Sequence, residues 1–262
     1  MIVREREDDY VLIQQDHHAQ ISGDIIKQWK KDYFHGSELR QSVEYAAYQH
    51  DHGWKEFDKQ PFLNDKENRP FSFFDFPNLP KIILYKHGID EVEKVDPYAA
   101  MLCSEHYKRF LLNNTSLEAQ AFVTYEEMRQ QTIVDTLDKF NKRLFEFHYG
   151  LLQLADNLSL YVCMNEPGVE KHAEHSFFKK GIPTNTDLHE FCKPKLQLKW
   201  HDANTVVLDD YPFNGPINVI LKQKIIPKET ISTKGLIDSY EEAPFEEYPI
   251  TFTAKSKQRL FS

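Results

Sequence analysis

Four residues have the side-chain types that bind transition metals and positions that let helices gather them: His18, His50, Asp51 and Asp156. Side chains three, four and seven residues apart share a helix face. His18 shares one with Ile21, Ser22, Ile25 and Trp29. Its neighbour His17 falls with Gln20, Asp24 and Gln28 and is expected toward water. Val43, Ala46, Ala47 and His50 form a second inward stripe, and Asp51 follows directly. Leu152, Ala155, Asp156, Ser159 and Cys163 form another, while Leu151, Leu154, Leu158 and Tyr161 make the rest of that helix apolar. Asp156 is therefore expected to be buried. An unpaired buried carboxylate costs roughly several kcal/mol or takes up a proton. It needs a metal, an arginine or a helix end to cap. Two imidazoles and two carboxylates make a mixed nitrogen and oxygen set suited to Fe, Mn, Co, Ni or Zn rather than Ca.

Other chemistries are excluded by what the chain lacks. Only 9 glycines occur in 262 residues, and none are closer than 13 positions, so there is no phosphate-cradling glycine loop. There is no Gly-x-Ser-x-Gly elbow and no His-Glu-x-x-His motif. The net charge of -9 makes a nucleic-acid polymer an unlikely partner. No apolar run is long enough to cross a membrane, and the N-terminus is charged, unlike a signal peptide. Cys103, Cys163 and Cys192 form no pairing framework, so reduced thiols and a cytoplasmic location are expected.

The elements that must position the four residues follow from pattern. Residues 2–13 read as a hairpin that needs partner strands. Helices are expected at 16–31, 40–51, 97–112, 115–141 and 143–163. Asp96-Pro97 starts the third, and Thr115 with Glu118 forms a capping box for the fourth. Residues 58–96, with four prolines between 61 and 80, read as irregular, a cover for the site or simple packing. From 195 the period becomes alternating, as in Leu196, Leu198 and Trp200 and in Ile217, Val219 and Leu221. The expected fold is mostly α, with a small β-region formed by the N-terminal hairpin and the C-terminal strands. Its parts are a hairpin and helical metal-binding domain at 1–165, a connecting segment at 166–194, and a β-region at 195–262 packed on the first domain.

The order of the four residues resembles the HD-domain superfamily of metal-dependent phosphohydrolases. The matching residues are His18, then His50-Asp51-His52-Gly53 in AAYQHDHGW, then Asp156 in LLQLADNLSL. The segments QQDHHAQISGDI, QHDHGW, DPYAAMLCSEHY and LQLADNLSLY look closer still to a bacterial family of unknown function with an HD-like core. That resemblance covers about residues 1–165 and extends weakly into the strands, at LDDYPF. It implies an HD-type helical domain in which His18, His50, Asp51 and Asp156 bind one divalent metal. Asp51 also orients a water, and His106 is the candidate for a second metal or a catalytic contact. The Gly-Tyr-Pro signature of the cyclic-dinucleotide branch is missing, so that substrate does not carry over. Trp54 stands where many members carry a phosphate-holding Lys, and Lys55 comes next.

The remaining candidates each have two readings. His106 shares an inward stripe with Ala99, Leu102, Cys103 and Phe110 and is either a ligand, a phosphate contact or a hydrogen-bonded core residue. Glu105 beside it is expected to be exposed. His148 either lines the cleft or packs, and Asp58 and Trp54 shape the mouth or pack. Arg109 and Arg143 contact an anion or are solvated. His172 and His175 form a surface pair or nothing. The expected function is metal-dependent hydrolysis of a small-molecule phosphoester in an open cleft. The alternatives are oxidation of a small molecule by an HD-fold di-iron pair, and a ligand-sensing module with a structural metal. An oligomer is left open.

Overall fold

The computed structural model describes residues 1–255. The chain is mostly α with a sheet region. Strands β1 (Ile2–Glu5) and β2 (Asp9–Ile13) form a hairpin that leads into helix α1 (Gln15–Lys27) and helix α2 (Arg40–Gln49). Short strands β3 (Leu63–Asn64) and β4 (Arg69–Pro70) precede α3 (Asn78–Glu93), α4 (Pro97–Leu111), α5 (Leu117–Thr136) and α6 (Lys142–Met164). Strands β5 (Ile182–Pro183), β6 (Lys195–Leu196), β7 (Leu198–Trp200), β8 (Thr205–Leu208) and β9 (Ile217–Pro227) follow. Helices α7 (Lys228–Lys234) and α8 (Leu236–Glu242) and strand β10 (Glu246–Ala254) complete the described chain.

The hairpin finds its partner strand at β9, with Tyr10 opposite Ile226 and Leu12 opposite Lys224. The resulting six-stranded sheet has the order β1-β2-β9-β10-β8-β7. Its pairs are antiparallel except β10 with β8. Alternation along β9 buries Ile217, Val219 and Leu221, and α1 packs against this strand. The same helix packs on α2 and α6, so one element joins the sheet to the helical core.

Several local expectations are corrected. Residues 58–96 are not irregular throughout, because α3 occupies 16 of them. Pro80 lies in its first turn, where a backbone N–H has no intrahelical partner, so the ring costs little. The cap of α5 is Ser116, whose Oγ accepts from the amide of Ala119 at 3.3 Å, rather than Thr115. The first helix stops at Lys27, and α5 stops at Thr136. The tail is not all strand: Pro227 opens α7, and Gly235, at φ +85, separates it from α8.

Candidate metal centre

The cluster is built where α1, the end of α2, α4 and α6 meet. Helix α1 turns its His18, Ile21, Ser22 and Ile25 stripe inward. Helix α2 ends at Gln49, so His50 is its cap residue and Asp51, at φ -107, leaves the helical path. That change of direction lets two consecutive side chains reach one point. Immediately afterwards Gly53 lies against Gly88 of α3, and a Cβ on Gly53 would overlap the Leu84 carbonyl. Asp156 lies on α6, which is buried on nearly every side.

The structure brings His18, His50, Asp51 and Asp156 together, and His106 with them. Two overlapping groups form, His18 with His50 and Asp51, and His50 with His106 and Asp156. Within each group the ligand atoms lie within 4.8 Å of one another. His18 Nε2 is 3.1 Å from His50 Nε2, 3.0 Å from an Asp156 oxygen and 3.7 Å from an Asp51 oxygen. His50 Nε2 is 3.5 Å from Asp156 and 3.8 Å from Asp51. Ligand atoms each about 2.1 Å from a shared ion are spaced roughly 3–3.5 Å apart. The five side chains belong to residues no more than 6% exposed, with the two carboxylates the most accessible.

The surrounding groups orient these ligands. His50 Nδ1 donates to the Ala47 carbonyl at 2.8 Å. His18 Nδ1 donates to Ser159 Oγ, which donates onward to the Asp156 carbonyl at 3.0 Å. Both Nε2 lone pairs therefore point into the cluster, where they repel each other unless a cation lies between them. The Tyr107 hydroxyl donates to Asp51 at 2.9 Å. Without a metal, a proton is the substitute cation. Burial alone would lower the pKa of His50, but Asp51 and Asp156 together pull it up to about 9. Burial would raise Asp156, yet hydrogen bonds with His18 and His50 hold it well below the usual carboxylate range. Burial pushes His106 down to about 4, and its Nδ1 is buried with no hydrogen-bond partner. The donor set and its spacing thus fit a divalent transition ion.

Since Nε2 of His50 carries a single lone pair, it serves one ion only. The two overlapping groups are either five ligands around one ion or two ions linked by carboxylates.

Other candidates lie elsewhere or are already engaged. His148 receives the Tyr98 hydroxyl on Nδ1 at 2.7 Å and donates from Nε2 to the His35 carbonyl at 2.8 Å, so it is a core residue. Asp58 does not shape a mouth: it holds the Met1 amine and the Gln15 amide, each at 2.6 Å. Trp54 packs on Phe76 and Tyr85. Contrary to expectation, Glu105 is buried, because Lys108 and Arg109 neutralise it at 2.7 and 2.6 Å. Arg109 is also held by Glu146 at 2.8 Å. Arg143 is solvated, 3.5 Å from Asp187. His17 does not face open water: its ring meets Phe245, and its Nδ1 is buried. The sheet covers that side of α1, which helix periodicity alone does not reveal. His172 pairs with Glu170, whereas His175 stacks among aromatic rings. Phe110 leaves the inward stripe and lies exposed, its ring against His106 at 4.6 Å.

Ser159, Ser22 and Tyr107 are the supporting residues that motif reasoning passes over. Ser159 follows Asp156 by three residues and Ser22 follows His18 by four, so both share a stripe with a ligand. Tyr107 has no such signal, because α4 is buried on most sides around it.

A family model described as "Protein of unknown function (DUF3891)" matches residues 1–228. The chain belongs to this family. No curated protein and no solved structure matches it. The match spans the five clustered residues and strands β1 to β9 and ends at the first residue of α7, before β10.

Proposed function

We propose that the chain is a metal-dependent hydrolase of a phosphoester, with an HD-type helical core, and that His18, His50, Asp51 and Asp156 hold its ion. The convergence of two oriented imidazole lone pairs and two carboxylates on one buried point carries the reading. A divalent ion bound there supplies Lewis acidity and lowers the pKa of a coordinated water. The protein's own part is orientation. Ser159 and Ala47 fix the two rings, and Tyr107 fixes one Asp51 oxygen while the other faces the cluster. His106 keeps an unengaged ring nitrogen beside them. The five residues are no more than 6% exposed, so the open cleft expected from the sequence is replaced by an enclosed cluster. Lys55, half exposed and 3.4 Å from Asp16, is freer to meet an anion than Arg109 with its two carboxylates.

The second group, formed by His50, His106 and Asp156, favours one further reading. If two irons share the five residues, O₂-dependent oxidation of a small molecule becomes the better description. A panel of phosphomonoesters, nucleotides and cyclic nucleotides, assayed with Mn, Fe, Co, Ni and Zn, separates the two. Hydrolysis that disappears in Asp51→Ala is the expected outcome. No hydrolysis with any metal, together with O₂ consumption by an iron-loaded form, would replace it with the oxidase.

A further inference from the structure

Helices α3 and α5 carry apolar side chains on both their inner and their outer sides. A helix that only covers a core needs one apolar stripe, with polar residues opposite. On its inner side α5 buries Ala119, Phe122, Val123 and Ile133, and α3 buries Leu84, Ile89 and Val92. On the outer side stand Leu117, Tyr125 and Met128 of α5 and Leu79 and Ile83 of α3, each 45–85% exposed. The two helices run side by side in the same direction. The rings of Tyr85 and Phe122 lie 6.3 Å apart, Lys86 Nζ is 4.7 Å from the centre of the Tyr125 ring, and Asp90 pairs with Arg129. One and two turns earlier, that register sets Ile83 and Leu79 beside Ala121 and Leu117. The five exposed side chains therefore form one face.

Fully open, side chains of this size present roughly 150–250 Å² each, so the face exposes on the order of 600 Å². The largest apolar patch on a monomer is about 300–600 Å². With its polar rim, the face approaches the ~800 Å² that each partner contributes to a stable complex. The outer stripe of α5 also matches itself when reversed. Leu117, Ala121, Thr124 and Met128 are spaced four, three and four residues apart, in the order large, small, small, large. That is the spacing of a coiled-coil seam. An antiparallel second copy sets Leu117 of one chain against Met128 of the other, and the small pair between them lets the helices approach. The flanks complement each other in the same alignment. Gln120 of one copy meets Glu127 of the other, and Glu118 of one copy reaches Tyr125 of the other, over which Lys86 lies.

We infer that this face joins two copies of the chain in an isologous dimer, with α5 antiparallel to α5 about a two-fold axis between Ala121 and Thr124. A two-fold contact requires a patch that complements itself, and the reversed match of α5 meets that condition. The net charge of -9 on each copy opposes association only at long range, and at physiological salt a Debye length of about 8 Å screens it. The face includes none of the metal ligands and none of the residues that orient them, so the dimer stands or falls apart from the metal centre.

Sedimentation equilibrium of the full chain, at about 50 μM and about 0.15 M salt, reads the mass directly. Wild type should sediment at twice the mass of the chain. Met128→Lys and Ile83→Lys each change an exposed side chain and lower the net negative charge, so neither loses association through charge repulsion or a damaged core. Each should raise the dimer dissociation constant by about tenfold or more. Lys86→Glu should raise it too, and Glu118→Lys added to the same chain should restore association. Phe62→Lys, at an exposed ring outside this face, should leave the dimer intact. Circular dichroism confirms that each variant is folded. A wild-type mass of one chain would overturn the proposal. So would a dimer that survives both Met128→Lys and Ile83→Lys, or one that Phe62→Lys dissociates as readily. Failure of the Lys86 and Glu118 exchange to restore association would overturn the antiparallel alignment and the proposal with it.

Discussion

Ser159 takes no direct part in binding an ion, yet the direction of the His18 ring depends on it. Its hydroxyl fixes Nδ1 of His18 as the protonated nitrogen and leaves Nε2 free to bind. Losing such an outer hydrogen bond to a metal ligand typically costs 10–100-fold in affinity. Ser159→Ala should therefore bind Mn or Zn about 10–100-fold more weakly than wild type, and should lose about 1–3 kcal/mol of stability because the buried His18 Nδ1–H and Ser22 hydroxyl lose their partner. Competition against a chelator measures this, and unaltered affinity would remove Ser159 from the site. Tyr107→Phe should act in the same direction through Asp51. His17→Ala, next to a ligand but turned toward Phe245, should keep its metal.

At the scale of elements, the site depends on how closely α3 approaches the turn after α2. Gly53 and Gly88 let the two backbones touch, and a Cβ on Gly53 has no room beside the Leu84 carbonyl. Gly53→Ala should lower stability by about 1–3 kcal/mol, the usual cost of overpacking. It should also reduce metal occupancy, since Asp51 is two residues away. Urea denaturation with metal analysis checks both, and an unchanged midpoint with full occupancy would contradict the account. The stripes that carry His18, His50 and Asp156 are legible in the sequence because each lies on a helix with one consistent apolar face. Helix α3 is not, because Pro77 and Pro80 read as loop signals although they sit just before the helix and in its first turn. The surroundings of His17 are illegible for a different reason: Phe245, which meets its ring, is brought near only by the tertiary structure. Those of Glu105 are legible, because Lys108 and Arg109 follow it by three and four residues on the same helix and pair with it there. Phe110 shows the converse: periodicity puts it inward, but the helix end leaves it in solvent.

For the whole molecule, the core has its own pH dependence apart from the metal. Burial lowers the pKa of His148 from 6.5 to about 4, and its two hydrogen bonds suit the neutral ring. Between those values the unfolded chain binds the proton more readily than the folded one. The stabilising contribution is therefore complete above pH 6.5 and is lost as pH falls toward 4. At most it amounts to something on the order of 3 kcal/mol. His148→Gln, which does not titrate, should lose less stability than wild type across that window. Stability curves that fall in parallel for the two proteins would show that His148 is not a source of acid sensitivity.

The central claim is that one buried point gathers the side chains of a metal centre, and the metal content of the purified protein tests it most directly. Wild-type protein supplied with Mn, Fe, Co, Ni and Zn should retain at least one transition ion per chain after desalting. His50→Ala and Asp51→Ala, shown to be folded by circular dichroism, should retain less than about a tenth of that, since each loses a ligand from a buried set. Full occupancy in both folded variants, or wild-type protein that retains none of the five metals, would contradict the account.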